Sequence, residues 1–218
     1  LHLFNNVYYR TVGHTIFLED GIEENNIIEN NLVVHVSPAS SLLMSDMDPS
    51  GLWQARPRNF IRHNHFVGSA GNGAWFELVG KPTGPSSVFG RGICPLGEHL
   101  LQYDQNAHHS NSLGLRVYPI YIPKTDPCVS NFNGRLRDPY SHNPGMPALF
   151  KENIMYMNGL GTFGKKIGAV NYEDQVLISK GTNQNVAEPD NAKDSMARVV
   201  RGVSIGTSPL TNFHVNGE

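Results

Sequence analysis

Phe60-Ile61-Arg62-His63-Asn64 repeats the pattern of Ile27-Ile28-Glu29-Asn30-Asn31: an apolar pair, a polar residue or two, then Asn. Outward from these two, the phrase returns as Leu3-Phe4-Asn5-Asn6, as Leu100-Leu101 leading to Asn106, and as Leu149-Phe150 leading to Asn153. Gly then opens a new apolar strand after each copy, at Gly13, Gly51, Gly73, Gly114 and Gly168. The shortest recurrences fall at roughly two dozen residues, the length of one solenoid coil. A buried Asn at a coil corner can bond the turns above and below it, forming a ladder. The pattern therefore predicts an all-β chain, a parallel β-helix of about five to six coils. A β-sandwich or jelly roll is the architectural alternative, disfavoured because no clean Asn-Gly turn separates two short alternating strands.

Composition bounds the rest. A chain of 218 residues can bury a core, and its net charge of −2 offers no footprint for nucleic acid or an anionic membrane. No apolar run approaches the ~18–20 residues of a membrane span. The chain opens at Leu1 already inside a repeat, without a signal-like start, and reads as a single β-helix segment, 1–218, of something larger. Three places break the rhythm as loop insertions, 37–50, 82–97 and 119–147, and loops at solenoid corners commonly populate a functional side. Met196 to Ile205 could supply strands of one more coil. Cys94 and Cys128 lie in two neighbouring insertions, so a disulfide between them is sterically conceivable and would imply an oxidising compartment. The residues alone leave that bridge open.

Alternation along each Gly-led strand sorts its side chains. The first and third positions after Gly (His14, Leu52, Ala74, Leu115, Ala169 and Ile16, Gln54, Phe76, Val117, Asn171) read as inward. The second and fourth (Thr15, Trp53, Trp75, Arg116, Val170 and Phe17, Ala55, Glu77, Tyr118, Tyr172) read as outward. Coils stack about 4.8 Å apart, so Trp53 and Trp75 should be vertical neighbours with Arg116 above them. Flat rings beside Arg116, Glu77 and Tyr118 suit sugar rings and their carboxylates, which makes these five the candidate binding residues for a glycan or a partner chain. The plainer reading is that inserted loops fold over the face and make it a satellite core.

Other candidates carry weaker chemistry. Glu19-Asp20-Gly21-Ile22-Glu23-Glu24, following His14, could bind a hard cation such as Ca2+ or supply a general acid and base through Glu19, Asp20 and His14. The same Asp-Gly pair equally suits a coil corner. Asp46 and Asp48 form a second acidic pair, with an Asp-Pro turn as the competing explanation. His63 and His65 share a strand face without a third ligand, and His108-His109 adjoins the Asn repeat. Gly161 to Lys166 lacks phosphate-loop order, and no Gly-x-Ser-x-Gly elbow is present. No cofactor is expected.

These residues resemble a known family. Gly13-His-Thr-Ile-Phe-Leu-Glu-Asp-Gly-Ile-Glu-Glu-Asn-Asn is similar to a signature of fibrocystin-like proteins and of the related CEMIP-type proteins that degrade or bind hyaluronan. Leu42-Leu-Met-Ser-Asp-Met-Asp-Pro, Trp53-Gln-Ala-Arg-Pro-Arg-Asn, Gly68-Ser-Ala-Gly-Asn-Gly-Ala-Trp-Phe, Pro82-Thr-Gly-Pro-Ser, Pro95-Leu-Gly and Ala107-His-His-Ser-Asn resemble further family phrases. The likeness runs from about Asn5 to Tyr118. It implies a right-handed parallel β-helix of an extracellular or cell-surface protein, with a G8-type domain and further coils elsewhere in the parent. The family's cysteine-bearing insertion between Asp48 and Trp53 is absent, and the activity residues of the hyaluronan-degrading members lie largely upstream. The expected role is a scaffold that contacts glycan or other extracellular chains, with no nucleic acid, no membrane insertion in this segment and room for assembly with neighbouring chains. The alternative is a polysaccharide-degrading β-helix enzyme, which needs a groove with convergent carboxylates.

Overall fold

The computed structural model describes residues 1–40, 44–128, 147–179, 184–187, 198–206 and 213–216. Every coil contributes one strand to each of three parallel sheets. The first coil is β1 (His2–Phe4), β2 (Val7–Val12) and β3 (Ile16–Leu18), and the second is β4 (Ile27–Glu29), β5 (Leu32–Ser37) and β6 (Ser50–Gln54). The third is β7 (Phe60–Arg62), β8 (His65–Ser69) and β9 (Asn72–Phe76), and the fourth β10 (Gln102–Asp104), β11 (Ala107–His109) and β12 (Leu113–Val117). The fifth is β13 (Ala148–Lys151), β14 (Ile154–Tyr156) and β15 (Leu160–Lys165). Two more follow: β16 (Val170–Glu173), β17 (Val176–Ser179) and β18 (Gln184–Ala187), then β19 (Arg198–Val200), β20 (Val203–Gly206) and β21 (Phe213–Asn216). Each sheet is seven strands deep, so the chain is a three-sheet parallel β-helix.

The corner between the first and second sheets shows why the Asn phrase recurs. Asn6 donates its backbone N–H and its Nδ2 to Oδ1 of Asn31, at 3.1 and 2.9 Å. Asn31 does the same to Asn64, Asn64 to Asn106, and Asn106 to Asn153, at 3.0–3.3 Å throughout. Each Nδ2 from Asn31 to Asn153 also donates to a main-chain carbonyl, those of Leu3, Ile28, Ile61 and Tyr103 in turn. Gln175 continues the column through Nε2 to Phe150 O at 3.2 Å.

The residue before each ladder amide turns the chain through the left-handed region: Asn5, Asn30, His63, Gln105, Glu152 and Asp174 all have φ between 51° and 57°. That conformation costs a non-glycine residue about 1–2 kcal/mol. Three buried hydrogen bonds at about 1 kcal/mol each exceed it. Shorter ladders do the same at two other corners, Asn111 onto Asn158 and Asn26 onto Asn59.

Inside the coils, side chains stack in columns. Leu3, Ile28, Ile61, Tyr103, Phe150 and Tyr172 are in register through the first sheet, and Tyr8, Val33, Phe66, His108, Met155 and Leu177 through the second. The Gly-led strands have a steric cause. A Cβ on Gly51 would lie 2.7 Å from Gly73 O, one on Gly73 2.6 Å from Gly114 O, and one on Gly114 2.5 Å from Gly161 O.

That column corrects the sequence reading at both ends. The fifth Gly-led strand is β15 at Gly161, because Leu113 pairs with Leu160. The strand after Gly168 belongs to the first sheet as β16, so Ala169, Val170, Asn171 and Tyr172 leave the Gly-led columns. In the first coil Ile16 pairs with Leu52 and Phe17 with Trp53, two residues off the expected register. Phe17, not Thr15, therefore aligns with the tryptophans. Among the three expected insertions, 41–43 and 129–146 lie outside the described residues.

Replacing Asn64 by Ala takes the Oδ1 acceptor from the N–H and Nδ2 of Asn31 and the Nδ2 donor from Ile28 O and Asn106 Oδ1, leaving only the backbone N–H of residue 64 on Asn106, and should lower stability by about 3 kcal/mol. His63→Gly, at φ +56°, should stay within about 1 kcal/mol of the parent. Urea unfolding midpoints of the two variants check both the ladder and the corner.

Candidate functional site

The outer face of the third sheet gathers most of the sequence candidates. Register places Phe17, Trp53, Trp75, Arg116 and Phe163 in one column. Phe17 and Trp53 sit edge to face with centroids 4.8 Å apart, and Trp53 and Trp75 likewise at 6.5 Å. The Arg116 guanidinium lies 4.0 Å over Trp75 and 4.9 Å over Tyr118. Trp53 Nε1 donates to Glu77 Oε2 at 3.3 Å, and Trp75 Nε1 to Tyr118 O at 3.2 Å.

These rings are covered. Trp53 is 7% and Trp75 5% exposed, and Val79 and Tyr118 pack against them. His14, read from the sequence as facing the coil interior, instead joins this outer cluster, 5.6 Å from Trp53 and 5.1 Å from Phe17 between ring centroids. The correction follows because β3 begins only at Ile16: His14 lies outside the strand, just after the turn at Gly13 (φ +79°), so strand alternation does not set its direction. Asp46 and Asp48, from the loop between β5 and β6, close the cluster: Asp46 Oδ1 lies 3.5 Å from His14 Nε2, and Asp48 Oδ2 pairs with Arg116 Nη1. The arrangement is a satellite core in which aromatic burial and a cation–π contact stabilise the loop. The indole faces are not open to a sugar ring.

Electrostatics agree with burial. Desolvation raises the Glu77 carboxyl above its usual range, opposed by the Trp53 N–H and the Arg116 charge. It also holds His14 below the ordinary histidine value, opposed by Asp46 and Asp48. Asp48 is further engaged by Asn72 Nδ2 at 3.3 Å. No group of three His, Cys, Asp or Glu side chains among the described residues is placed to hold a metal ion.

The acidic turn is a corner. Glu23 accepts the backbone N–H groups of Asp20 and Gly21 at 3.1 and 2.8 Å, and Gly21 takes φ +84°. Asp20 Oδ2 accepts Ser86 N–H at 3.2 Å, tying the corner to the next insertion. Glu24 pairs with Arg56 at 3.1 Å, and Arg56 also forms a two-pronged pair with Glu98 at 2.6 and 2.9 Å. Glu19 is exposed. Neither the Arg56–Glu98 pair nor the Asp48–Arg116 pair was foreseen, because both join residues more than 40 positions apart with no shared motif.

His63 and His65 do not share a strand face as the sequence suggested, because β7 ends at Arg62 and β8 begins at His65. His63 occupies the left-handed corner and His65 the outer face of β8. His109 stacks on Tyr156 with centroids 4.4 Å apart on the outer side of the second sheet. His108 is fully buried inside the coil, stacked on Phe66, with Nε2 2.9 Å from Tyr103 Oη. Burial pushes its pKa down to about 3. Cys94 and Cys128 are disulfide-bonded.

Fold and geometry thus define a parallel β-helix whose tryptophan face is covered by its own loops. The CEMIP beta-helix family model matches residues 1–115, more than half of the chain, and the protein belongs to that family. Fibrocystin-L of Mus musculus is 32% identical over 179 residues, 80% of this chain and 4% of that protein. Human fibrocystin-L is 37% identical over 130 residues, 57% of this chain and 3% of that protein. The human cell surface hyaluronidase CEMIP2 is 29% identical over 189 residues, 69% of this chain and 13% of that protein. The chain thus spans a few per cent of the length of the fibrocystin-L relatives it matches. It is an extracellular or cell-surface protein, as its relatives are, and the disulfide agrees with an oxidising compartment.

Two outcomes check this site. Tryptophan emission of the native protein should resist iodide quenching, and Asp48→Ala, which releases Arg116 from the face, should make it quenchable. Separately, His108 folds neutral with its pKa lowered from 6.5 to about 3. Its contribution is complete above pH 6.5 and lost as pH falls toward 3, by about 1.4 kcal/mol per unit. His108→Gln should flatten this part of the stability–pH profile measured by thermal unfolding.

Proposed function

We propose that this chain is a rigid scaffold segment of a larger cell-surface protein, with its strength in the coil stack and no catalytic groove of its own. The observation that carries the reading is the engagement of the carboxylates that could have formed such a groove. Asp20 ties a loop, Glu23 caps a corner, Glu24 and Glu98 pair with Arg56, Asp48 pairs with Arg116, and Glu77 receives the Trp53 N–H. A glycan-degrading β-helix needs two of them free and convergent on substrate. Two relatives bear the names cell surface hyaluronidase CEMIP2 and cell migration-inducing and hyaluronan-binding protein, which keeps the enzyme as the reading to be excluded.

Tyr9, Val34, Val67, His109, Tyr156, Ile178 and Ile205 form one continuous outer column of the second sheet. Spin labels at Tyr9 and Ile205 should therefore report a single narrow distance near six coil spacings, about 29 Å. In the same preparation, high-molecular-weight hyaluronan should keep its size distribution. A broad distance distribution would sink the scaffold reading. Depolymerisation that disappears in Asp20→Asn or Glu19→Gln would establish the enzyme instead.

A further inference from the structure

The outer faces of the three sheets differ in kind. On the first, Glu29, Arg62, Asp104, Lys151 and Glu173 stand in one column and alternate in sign from coil to coil, as suits a solvated face. The third is covered over its tryptophans. The second is apolar and exposed. Beside its outer column from Tyr9 to Ile205 runs another, made of Val7, Leu32, His65, Ala107, Ile154, Val176 and Val203. Neither column holds an Asp, Glu, Lys or Arg. Val7, Tyr9, Ile154, Ile178 and Val203 are between 41% and 70% exposed. Burial and the neighbouring His65 hold His109 below the ordinary histidine value, which keeps it neutral at pH 7.

The corners make this face regular. Left-handed residues bound the second sheet at the same spacing in each of the first five coils: Asn5 and Arg10, Asn30 and His35, His63 and Gly68, Gln105 and Ser110, Glu152 and Met157. The insertions leave the chain elsewhere, after β5, β9 and β12. Seven strands of this length make a surface about 34 Å tall and about 20 Å wide from corner to corner, about 700 Å² in plan, with the two apolar columns along its middle. Monomeric proteins rarely expose apolar patches beyond ~300–600 Å². A stable interface takes about 800 Å² from each partner, which this face can supply once the relief of its side chains is included.

We propose that this face binds a second copy of the chain, the two second sheets packed face to face and the coil stacks antiparallel about a two-fold axis along the fourth coil. Both columns are buried without stranding a charge when the partner is equally long, flat and uncharged, and a second copy carries such a face. The rim fits as well. This axis sets the third coil against the fifth of the other copy, the second against the sixth, and the first against the seventh. His63 then faces Glu152, Asn30 faces Asp174 and Asn5 faces Arg201, so no like charges oppose along this corner. An anionic membrane surface would instead meet Glu152 and Asp174 and be repelled. An extended peptide adds to a strand edge and leaves the face bare. The proposal rests on the rigid coil stack of the scaffold reading and adds its partner.

Sedimentation equilibrium of the 218-residue chain over a wide concentration range tests it. The expected result is a monomer–dimer equilibrium. Val67→Asp and Ile178→Asp each bury a charge in the interface and should raise the dissociation constant about a hundredfold or more. Leu149→Asp, on the outer side of the first sheet, should leave it unchanged. His63→Glu should weaken the dimer about fivefold by opposing Glu152 of the other copy, and Glu152→Lys added to it should restore the affinity. Circular dichroism matching the parent verifies that the variants fold. A monomer at every concentration overturns the proposal, as does a dimer indifferent to Val67→Asp or a His63→Glu dimer that Glu152→Lys does not restore. Longer assemblies that survive Val67→Asp overturn it and assign association to the strand edges. A monomer that binds phosphatidylcholine vesicles overturns it and assigns the face to lipid. A monomer that keeps the narrow Tyr9–Ile205 distance sinks this proposal alone and leaves the scaffold reading standing.

Discussion

The asparagine ladder at the corner between the first and second sheets is the interaction on which the rest of the structure depends. A coil has to turn sharply within one residue, and the chain does so by placing ordinary residues such as His63 and Glu152 in the left-handed region. On its own that would favour a looser corner. The next residue prevents it, because one amide oxygen receives both the N–H and the Nδ2 of the coil before. Each inner Asn donates to the coil after it and to a carbonyl of the coil before it, and accepts from the coil before it, so the corner is correct only when its neighbours are. Register then propagates: once Asn31, Asn64 and Asn106 are aligned, Ile28, Ile61 and Tyr103 must stack in the core, and Gly51, Gly73 and Gly114 must meet where no Cβ fits.

A solenoid built this way has three long outer faces, and the loops decide what each can do. On the third sheet, the loop carrying Asp46 and Asp48 and the turn carrying His14 lie over the tryptophans and convert what could have been a binding platform into a second core. The following insertion does the opposite. It is tethered by Asp20 and by the Cys94–Cys128 bond, yet leaves two cations and an apolar turn facing solvent.

Much of the fold was legible because the ladder is written in one residue type at a repeating place. Asn31, Asn64, Asn106 and Asn153 announce the corners directly, and the glycine column announces the strand that cannot carry a side chain. Legibility stops where the marker changes. Gln175 replaces Asn in the sixth coil, so the sequence count of about five to six coils stops short of the seven present. Gly168 is conspicuous but starts a strand of another sheet, while the true column member, Gly161, sits in a segment that resembles a failed phosphate loop. Of the site, the vertical contact of Trp53, Trp75 and Arg116 followed from alternation alone. Its closure did not, because Asp48 reaches Arg116 across 68 residues and nothing local encodes that meeting.

The central claim is that the ladder amides are structural donors locked between coils. Hydrogen exchange of the asparagine side-chain Nδ2 protons, followed by NMR on the native protein, tests this most directly. The account predicts that the Nδ2 protons of Asn31, Asn64, Asn106 and Asn153 exchange as slowly as the core backbone amides and are released together with them as denaturant is added. Exchange of these four side chains at the rate of exposed asparagines, while the backbone stays protected, would contradict it.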